Sequence, residues 1–339
     1  MTSAAESTAW WIYRGHGLPP EGDAEIPELP APPSWRTFDG GPPLPIPPVS
    51  DTEFLRRIGV PSPIAAKQAS VREILTVNAA LYLRRPILVT GNPGTGKSSL
   101  AYRIARELAL GPVLRWSISS RTISRDGLWE YDAIGRVQAA AAEENAGAGD
   151  FVRLGPLGTA LLPYERPRVL LIDELDKSDI HLPNDLLAVF EDGEYEIQPL
   201  SRIAATQPDV TVFTHDRGGR ATVREGHVRC RSFPVVVVTS NGERDFPPAF
   251  LRRCLRLEMP QPDLEQLVGM VAAHFREVPQ RGQDLIREFL TISEREGGLA
   301  NDQLLNAMHL ATSNAYQQDE NWELLRNTLW QRLIVSGMD

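Results

Sequence analysis

Two hydrophobic periods alternate along this chain. Pro86–Thr90, Val169–Ile172 and Val235–Thr239 are short and dense in apolar residues, Val113–Ser117 and Leu255–Glu258 are strand-like and short, and each predicts a strand. Strands that read as nearly continuous apolar runs are covered on both faces, as in a parallel sheet. Between them, Ser98–Leu110, Asp126–Asn145 and Asp185–Phe190 place apolar residues at helical spacing. The first of these stops at Gly111, a natural helix terminator. Two more helices are predicted upstream, over Asp51–Gly59 and Ile64–Leu83. From about Asp263 the pattern is helical throughout, over Leu264–Arg276, Asp284–Glu296, Asp302–Ser313 and Trp322–Leu333. The break at Met259-Pro-Gln-Pro262 separates the two regimes. Alternating strands and helices followed by helices alone predict an α/β domain with a parallel sheet and a smaller all-helical domain.

Two stretches fall outside this alternation. Leu18–Pro48 is crowded with proline, which fixes φ and lacks a backbone N–H, so neither helix nor sheet interior can form there. An extended arm is predicted, either laid over a surface or disordered. Trp10, Trp11, Ile12, Tyr13, Trp35 and Phe38 are its anchors, on its own domain or on a neighbour. The second stretch, Glu194–Phe233, has short alternating segments separated by Arg217-Gly-Gly-Arg220 and Glu225-Gly226, and predicts a β-hairpin insertion. The resulting division is a proline-rich arm over 1–60, an α/β domain over 61–260 with its insertion at about 194–233, and a helical domain over 263–339.

The bulk numbers narrow the function classes. The 339 residues carry a formal net charge of −9, which argues against a dedicated nucleic-acid binder. No apolar run approaches the ~20 residues that span a bilayer. The first residues show neither the basic nor the apolar part of a signal peptide. Cys230 and Cys254 stand outside any metal-ligand spacing and read as reduced thiols, so a cytoplasmic location is expected. His181, His215 and His227 likewise lack a second ligand at metal spacing and read as surface residues.

The chemistry is concentrated at three strand ends. Gly91-Asn92-Pro93-Gly94-Thr95-Gly96-Lys97-Ser98 matches G-x-x-x-x-G-K-[ST] and lies between a predicted strand and a predicted helix. The glycines allow backbone N–H groups to line an anion nest that runs on to Ser99, a further expected nucleotide contact, and the following helix presents its N-terminus. Lys97 is then expected on the β/γ-phosphates of a nucleotide and Ser98 on Mg²⁺. Val169-Leu-Leu-Ile-Asp173-Glu174 ends a strand in two carboxylates. Asp173 is the expected metal partner, and Glu174 the group that polarises the attacking water. No role is given to Asp176 or Lys177. Val235–Asn241 ends a third strand, where Asn241 can hold the water or a γ-phosphate oxygen; Thr239 and Ser240 are the alternatives.

Together these motifs and the trailing helical region resemble the AAA+ ATPases, over roughly Pro61 to the C-terminus. Asn241-Gly-Glu-Arg-Asp-Phe-Pro-Pro-Ala-Phe-Leu-Arg-Arg-Cys254, with Phe151–Gly158 and the predicted hairpin, is similar to the MoxR subgroup. That resemblance implies ATP and Mg²⁺ as cofactors, and Arg253, with Arg252 as alternative, as an arginine finger acting on a neighbour's γ-phosphate. It further implies a homo-oligomeric ring, a hexamer in the family, and a protein client or adaptor containing a von Willebrand factor A domain. One departure stands out: the family's basic sensor 2 residue has no counterpart in Gly297-Gly-Leu-Ala-Asn-Asp-Gln303. Two rival readings stay open, a nucleotide-dependent assembly switch with little turnover and a nucleic-acid-acting NTPase motor. Arg217, Arg220, Arg224, Arg229 and Arg231 give the insertion a basic character that reads equally as a solvated face or a partner contact.

Overall fold

The computed structural model describes residues 8–22, 26–49, 51–60, 69–142, 146–275, 280–296, 298–313 and 322–330. Among the described residues the strands form two sheets. The first is parallel and consists of β1 (Ile87–Thr90), β2 (Leu114–Ser117), β5 (Val169–Asp173), β10 (Val235–Ser240) and β11 (Leu255–Glu258). Its spatial order is β11-β1-β10-β5-β2, with every neighbouring pair parallel. All of β5 and β10 is buried, as their unbroken apolar sequences require. One core lies on each face: Leu88, Leu170, Ile172, Val236 and Val238 point into one, Ile87, Val89, Leu171 and Val237 into the other. The architecture is α/β.

The second sheet has the order β3-β4-β7-β8-β9-β6. Its members are β3 (Trp129–Tyr131), β4 (Val152–Leu154), β6 (Glu194–Glu196), β7 (Asp209–Phe213), β8 (Arg220–Arg224) and β9 (His227–Arg229). The hairpin predicted within 194–233 is present as β7–β8, but it does not stand alone. β4 joins its outer edge through the parallel pair Arg153–Phe213, and β3 joins β4. Sequence-distant strands thus enlarge the insertion. They do so by breaking the helix predicted over 126–145, whose last three residues lie outside the described ones. Instead there is a short helix at Ser124–Leu128, then β3, then a helix at Ala133–Ala141. Gly127 packs so closely on Trp116 that a Cβ would come within 2.5 Å of its ring, and Asp132 restarts the helix by accepting the Gly135 N–H at 2.7 Å.

The hairpin is pinned to the first sheet by the ion pair of a buried arginine. Arg168, fully buried beside β5, donates to both carboxylate oxygens of Asp216 at 2.9 and 2.8 Å and to the Tyr164 hydroxyl at 3.1 Å.

The arm lies over the α/β core. Its anchors are polar side chains on two helices, Val71–Leu83 and Ser99–Glu107. Asn78 accepts the backbone N–H groups of Ile12 and Tyr13 at 2.7 and 3.1 Å and donates to the Tyr13 carbonyl at 2.7 Å. Glu107 accepts the N–H groups of Arg14, Gly15 and Gly17. Tyr13 is fully buried and its hydroxyl donates to Glu73 at 2.7 Å. Further on, Phe38 stacks on Phe233, and Leu44 forms a bridge with Tyr164. Trp35 remains 78% exposed. The first of these helices is predicted from Ile64; it begins after Ser70, whose hydroxyl caps the Glu73 N–H, and residues 64–68 lie outside the described ones.

The C-terminal region is helical over Leu264–His274, Gln280–Glu296, Asn301–Thr312 and Trp322–Leu329. Its own core gathers Leu267, Val271, Ile286, Phe289, Leu304, Met308 and Trp330. No described helix is long and apolar enough to cross a membrane. Cys230 and Cys254 are buried free thiols, and burial pushes both up to about 12.

Candidate functional site

The carboxyl ends of β1, β5 and β10 meet at a cleft of about 710 Å³ between the parallel sheet and the C-terminal helices. A crevice at the carboxyl ends of parallel strands is where α/β proteins bind ligands. One wall is the loop from Pro93 to Ser99, and another is made by Asn301, Asp302 and Leu305 of the helical region. The two are in direct contact: the Asn301 N–H donates to the Gly94 carbonyl at 3.2 Å. Glycine is required at position 94 on two counts, a φ of +76° and a Cβ that would lie 2.3 Å from the Ala300 backbone. Apolar Ile58, Val60, Met259, Leu267 and Met270 also line the cleft.

Lys97 is buried to 7% exposure and donates to the Gly91 and Asn92 carbonyls, both at 2.7 Å. Gly91 and Asn92 thus hold the lysine through their carbonyls and are not among the residues that line the cleft. Burial lowers the Lys97 pKa, against the opposing pull of Asp176, Asp173 and Glu174. Ser98, immediately before the helix Ser99–Glu107, donates its hydroxyl to Asp173 Oδ1 at 2.7 Å rather than to the helix backbone. Asp173 also accepts from Thr239 at 2.8 Å and from Arg115 Nε and Nη2 at 3.1 and 2.6 Å. Burial alone would raise the Asp173 carboxyl, but these donors outweigh it and hold the group below the usual carboxylate range.

Glu174 follows in a left-handed conformation, φ 63° and ψ 49°, which a non-glycine residue adopts only under local constraint. Its N–H donates to the Thr239 hydroxyl at 2.9 Å, so Thr239 ties both acidic residues to β10. The Glu174 carboxylate is about half exposed, lines the cleft, and pairs with Lys177 at 2.9 Å. Asn241 also lines the cleft. Its loop is fixed by Asp176, buried to 4% exposure, whose Oδ2 accepts the N–H groups of Asn241 and Glu243 at 2.8 and 3.1 Å.

Arg252 and Arg253 end the helix Pro248–Arg253, away from this cleft. The Arg253 guanidinium donates to Glu191 at 2.5 Å, and Arg36 of the arm lies 3.8 Å from the same carboxylate. Arg252 is exposed. The position expected for a basic residue at the start of the helix Asn301–Thr312 carries Asn301 and Asp302; Gly297 lies outside the described residues.

Sequence reasoning missed Arg115, Asp176, Lys177 and the clamp role of Thr239. Arg115 had a signal: it is a charge inside a strand whose neighbours Leu114 and Trp116 are both buried. Asp176 had a weaker one, an acid two residues beyond Glu174 that burial would force into partnership. Removing its carboxylate leaves two backbone donors without an acceptor. Asp176→Ala is expected to lower the melting temperature by several degrees, about 1–3 kcal/mol for donors left unpaired. Asp176→Asn, which keeps an acceptor oxygen, should recover most of this; thermal melts check it.

As to cofactors, Ser98 and Asp173 form an oxygen-only donor pair of the kind a hard divalent cation takes, and the glycine cradle in front of Lys97 suits a phosphate chain. Among known proteins, residues 86–254 match the family described as AAA domain (dynein-related subfamily). No curated protein matches the chain. Three solved structures of NtrX from Brucella abortus are similar. The ADP complex is 14% identical, with 73% of this chain and 49% of that chain covered and a TM-score of 0.36. A second structure is 14% identical, with 79% and 54% covered and a TM-score of 0.40. The ATP complex is 16% identical, with 82% and 54% covered and a TM-score of 0.35. The chain spans about half the length of each of these.

Proposed function

From an AAA+ nucleotide-binding domain over residues 86–254, we propose an ATP-hydrolysing remodelling subunit of MoxR type, working on a protein partner as an oligomeric ring. The observation that carries the hydrolytic part is the cluster at the strand ends: Lys97, Ser98, Asp173, Glu174 and Asn241 line one cleft. The phosphates of ATP fit the Pro93–Ser99 loop, whose N–H groups and lysine match their charge. Ser98 and Asp173 would hold Mg²⁺, which supplies charge neutralisation to the phosphate oxygens when bound. Glu174, released from Lys177, accepts the proton of the attacking water, and Asn241 orients that water. Arg253 of a neighbouring subunit stabilises charge on the transferred phosphoryl group.

The ring follows from the trans role of Arg253, because head-to-tail contacts that close generate one. The second sheet is the surface proposed for the protein partner, since its β7 and β8 alternate buried with exposed positions and so present a solvated face that includes Arg224. A von Willebrand factor A domain in that partner is the further expectation of the MoxR reading. The absent sensor 2 favours one other reading, an assembly switch that binds ATP and turns over little.

Steady-state phosphate release against protein concentration, with mass by light scattering on the same samples, separates the two. Specific activity that climbs as assembly proceeds supports the remodelling subunit. Tight ATP-dependent assembly with negligible release supports the switch.

A further inference from the structure

Asp173 is the carboxylate a metal ion would need, yet its acceptor capacity is already taken. A carboxylate offers about four lone-pair sites. Among the described residues, Ser98 and Thr239 occupy Oδ1 at 2.7 and 2.8 Å, and both nitrogens of the Arg115 fork occupy Oδ2 at 3.1 and 2.6 Å. Any cation that recruits Asp173 must displace a donor. Thr239 is held in place, since it is 1% exposed and also accepts the Glu174 N–H. Ser98 is fixed at the start of its helix and keeps free lone pairs of its own for a cation.

Arg115 is the donor able to leave. It lies on β2, at the edge of the parallel sheet, and its side chain is 38% exposed. It borders two spaces at once. One is the nucleotide cleft, and the other is a cavity of about 780 Å³ between the arm residues Pro45–Val49 and the hairpin turn at Asp216–Arg220. A guanidinium that lets go of Asp173 therefore has somewhere to go. It is also the donor that repels a divalent cation most, being the one that carries a full positive charge.

We propose that Arg115 is a counter-ion that stands in for the metal. It neutralises Asp173 when no nucleotide is present, bars free divalent cations from Ser98 and Asp173, and yields the carboxylate to a cation already carried by nucleotide phosphates. Metal binding is thereby made conditional on nucleotide. This rests on the nucleotide-site reading given above. Arg115 acts through Asp173 and is a positioning residue.

Mn²⁺ binding to the full chain, followed by electron paramagnetic resonance with and without ADP, tests it. Arg115→Gln and Arg115→Met remove the charge; Arg115→Lys keeps the charge and loses the fork. Without ADP, both neutral variants should bind Mn²⁺ about tenfold more tightly than wild type, as expected for loss of one nearby unit charge at a partly exposed site. Arg115→Lys should stay close to wild type, and with ADP the gap should narrow for all. The proposal is overturned if the neutral variants bind Mn²⁺ no more tightly than wild type without ADP, or if the gap is unchanged by ADP. If wild type holds no Mn²⁺ even with ADP, the nucleotide-site reading itself fails and this one falls with it.

Discussion

Glu174→Gln is expected to abolish turnover while leaving ATP bound. The amide keeps the size and the hydrogen-bonding reach of the carboxylate but cannot take the proton of the attacking water. Loss of a positioned general base costs about 10²–10⁴-fold in rate. The groups expected on the phosphates and metal are Lys97, Ser98 and Asp173, and none is hydrogen-bonded to the Glu174 side chain, whose partner is Lys177. Affinity for ATP should therefore be preserved, and the complex should live longer because its product no longer forms. Single-turnover hydrolysis and fluorescent-nucleotide binding on the same preparation check both halves. A variant that hydrolyses at wild-type rate would move the base to another residue.

Arg253→Ala carries an expectation as large, about 10³–10⁵-fold in turnover, for a different reason. This side chain lies on the helix Pro248–Arg253 and pairs with Glu191, outside the cleft of its own chain. Its loss should leave nucleotide binding by each chain intact and should not be corrected by raising protein concentration. The Glu191 pair is half exposed and so costs little to break. The proposed finger therefore has a resting contact that assembly can release at little cost. Glu191→Ala should accordingly leave the finger competent. Normal turnover in Arg253→Ala would shift the finger to Arg252 or remove it from the mechanism.

The parallel sheet and the phosphate loop were legible in the sequence because their causes are local. Val169–Ile172 and Val235–Val238 are apolar at consecutive positions, and only a strand covered on both faces buries every one of them. The loop spacing from Gly91 to Ser98 names its own backbone geometry. The second sheet was not legible, because Arg153 meets Phe213 across a separation that no window of sequence reports. The helix predicted through Trp129–Tyr131 failed for the same reason: β3 exists because β4 is there to pair with it. Tertiary pairing overrides a local preference.

At the site, the residues proposed to touch nucleotide were readable from motifs, and those that hold them in place were not. Asp176 and Thr239 act through hydrogen bonds to elements far away in sequence, Asn241 and Asp173 respectively. The arm shows the same limit. Its prolines predict an extended chain, but its attachment depends on Asn78 and Glu107, polar residues on the buried faces of their helices. Each is buried, to 0% and 4% exposure, and a buried polar group must find a partner. The arm's backbone supplies it.

The most direct measurement mixes two variants that are each expected to be inactive alone. On the proposed roles, Glu174→Gln keeps its finger and Arg253→Ala keeps its catalytic carboxylate, so a Glu174→Gln chain beside an Arg253→Ala chain completes one working site. Random mixing in equal amounts into a head-to-tail ring should restore about one quarter of the wild-type rate. Activity in the mixture that stays at the level of either variant alone would contradict a site shared between subunits.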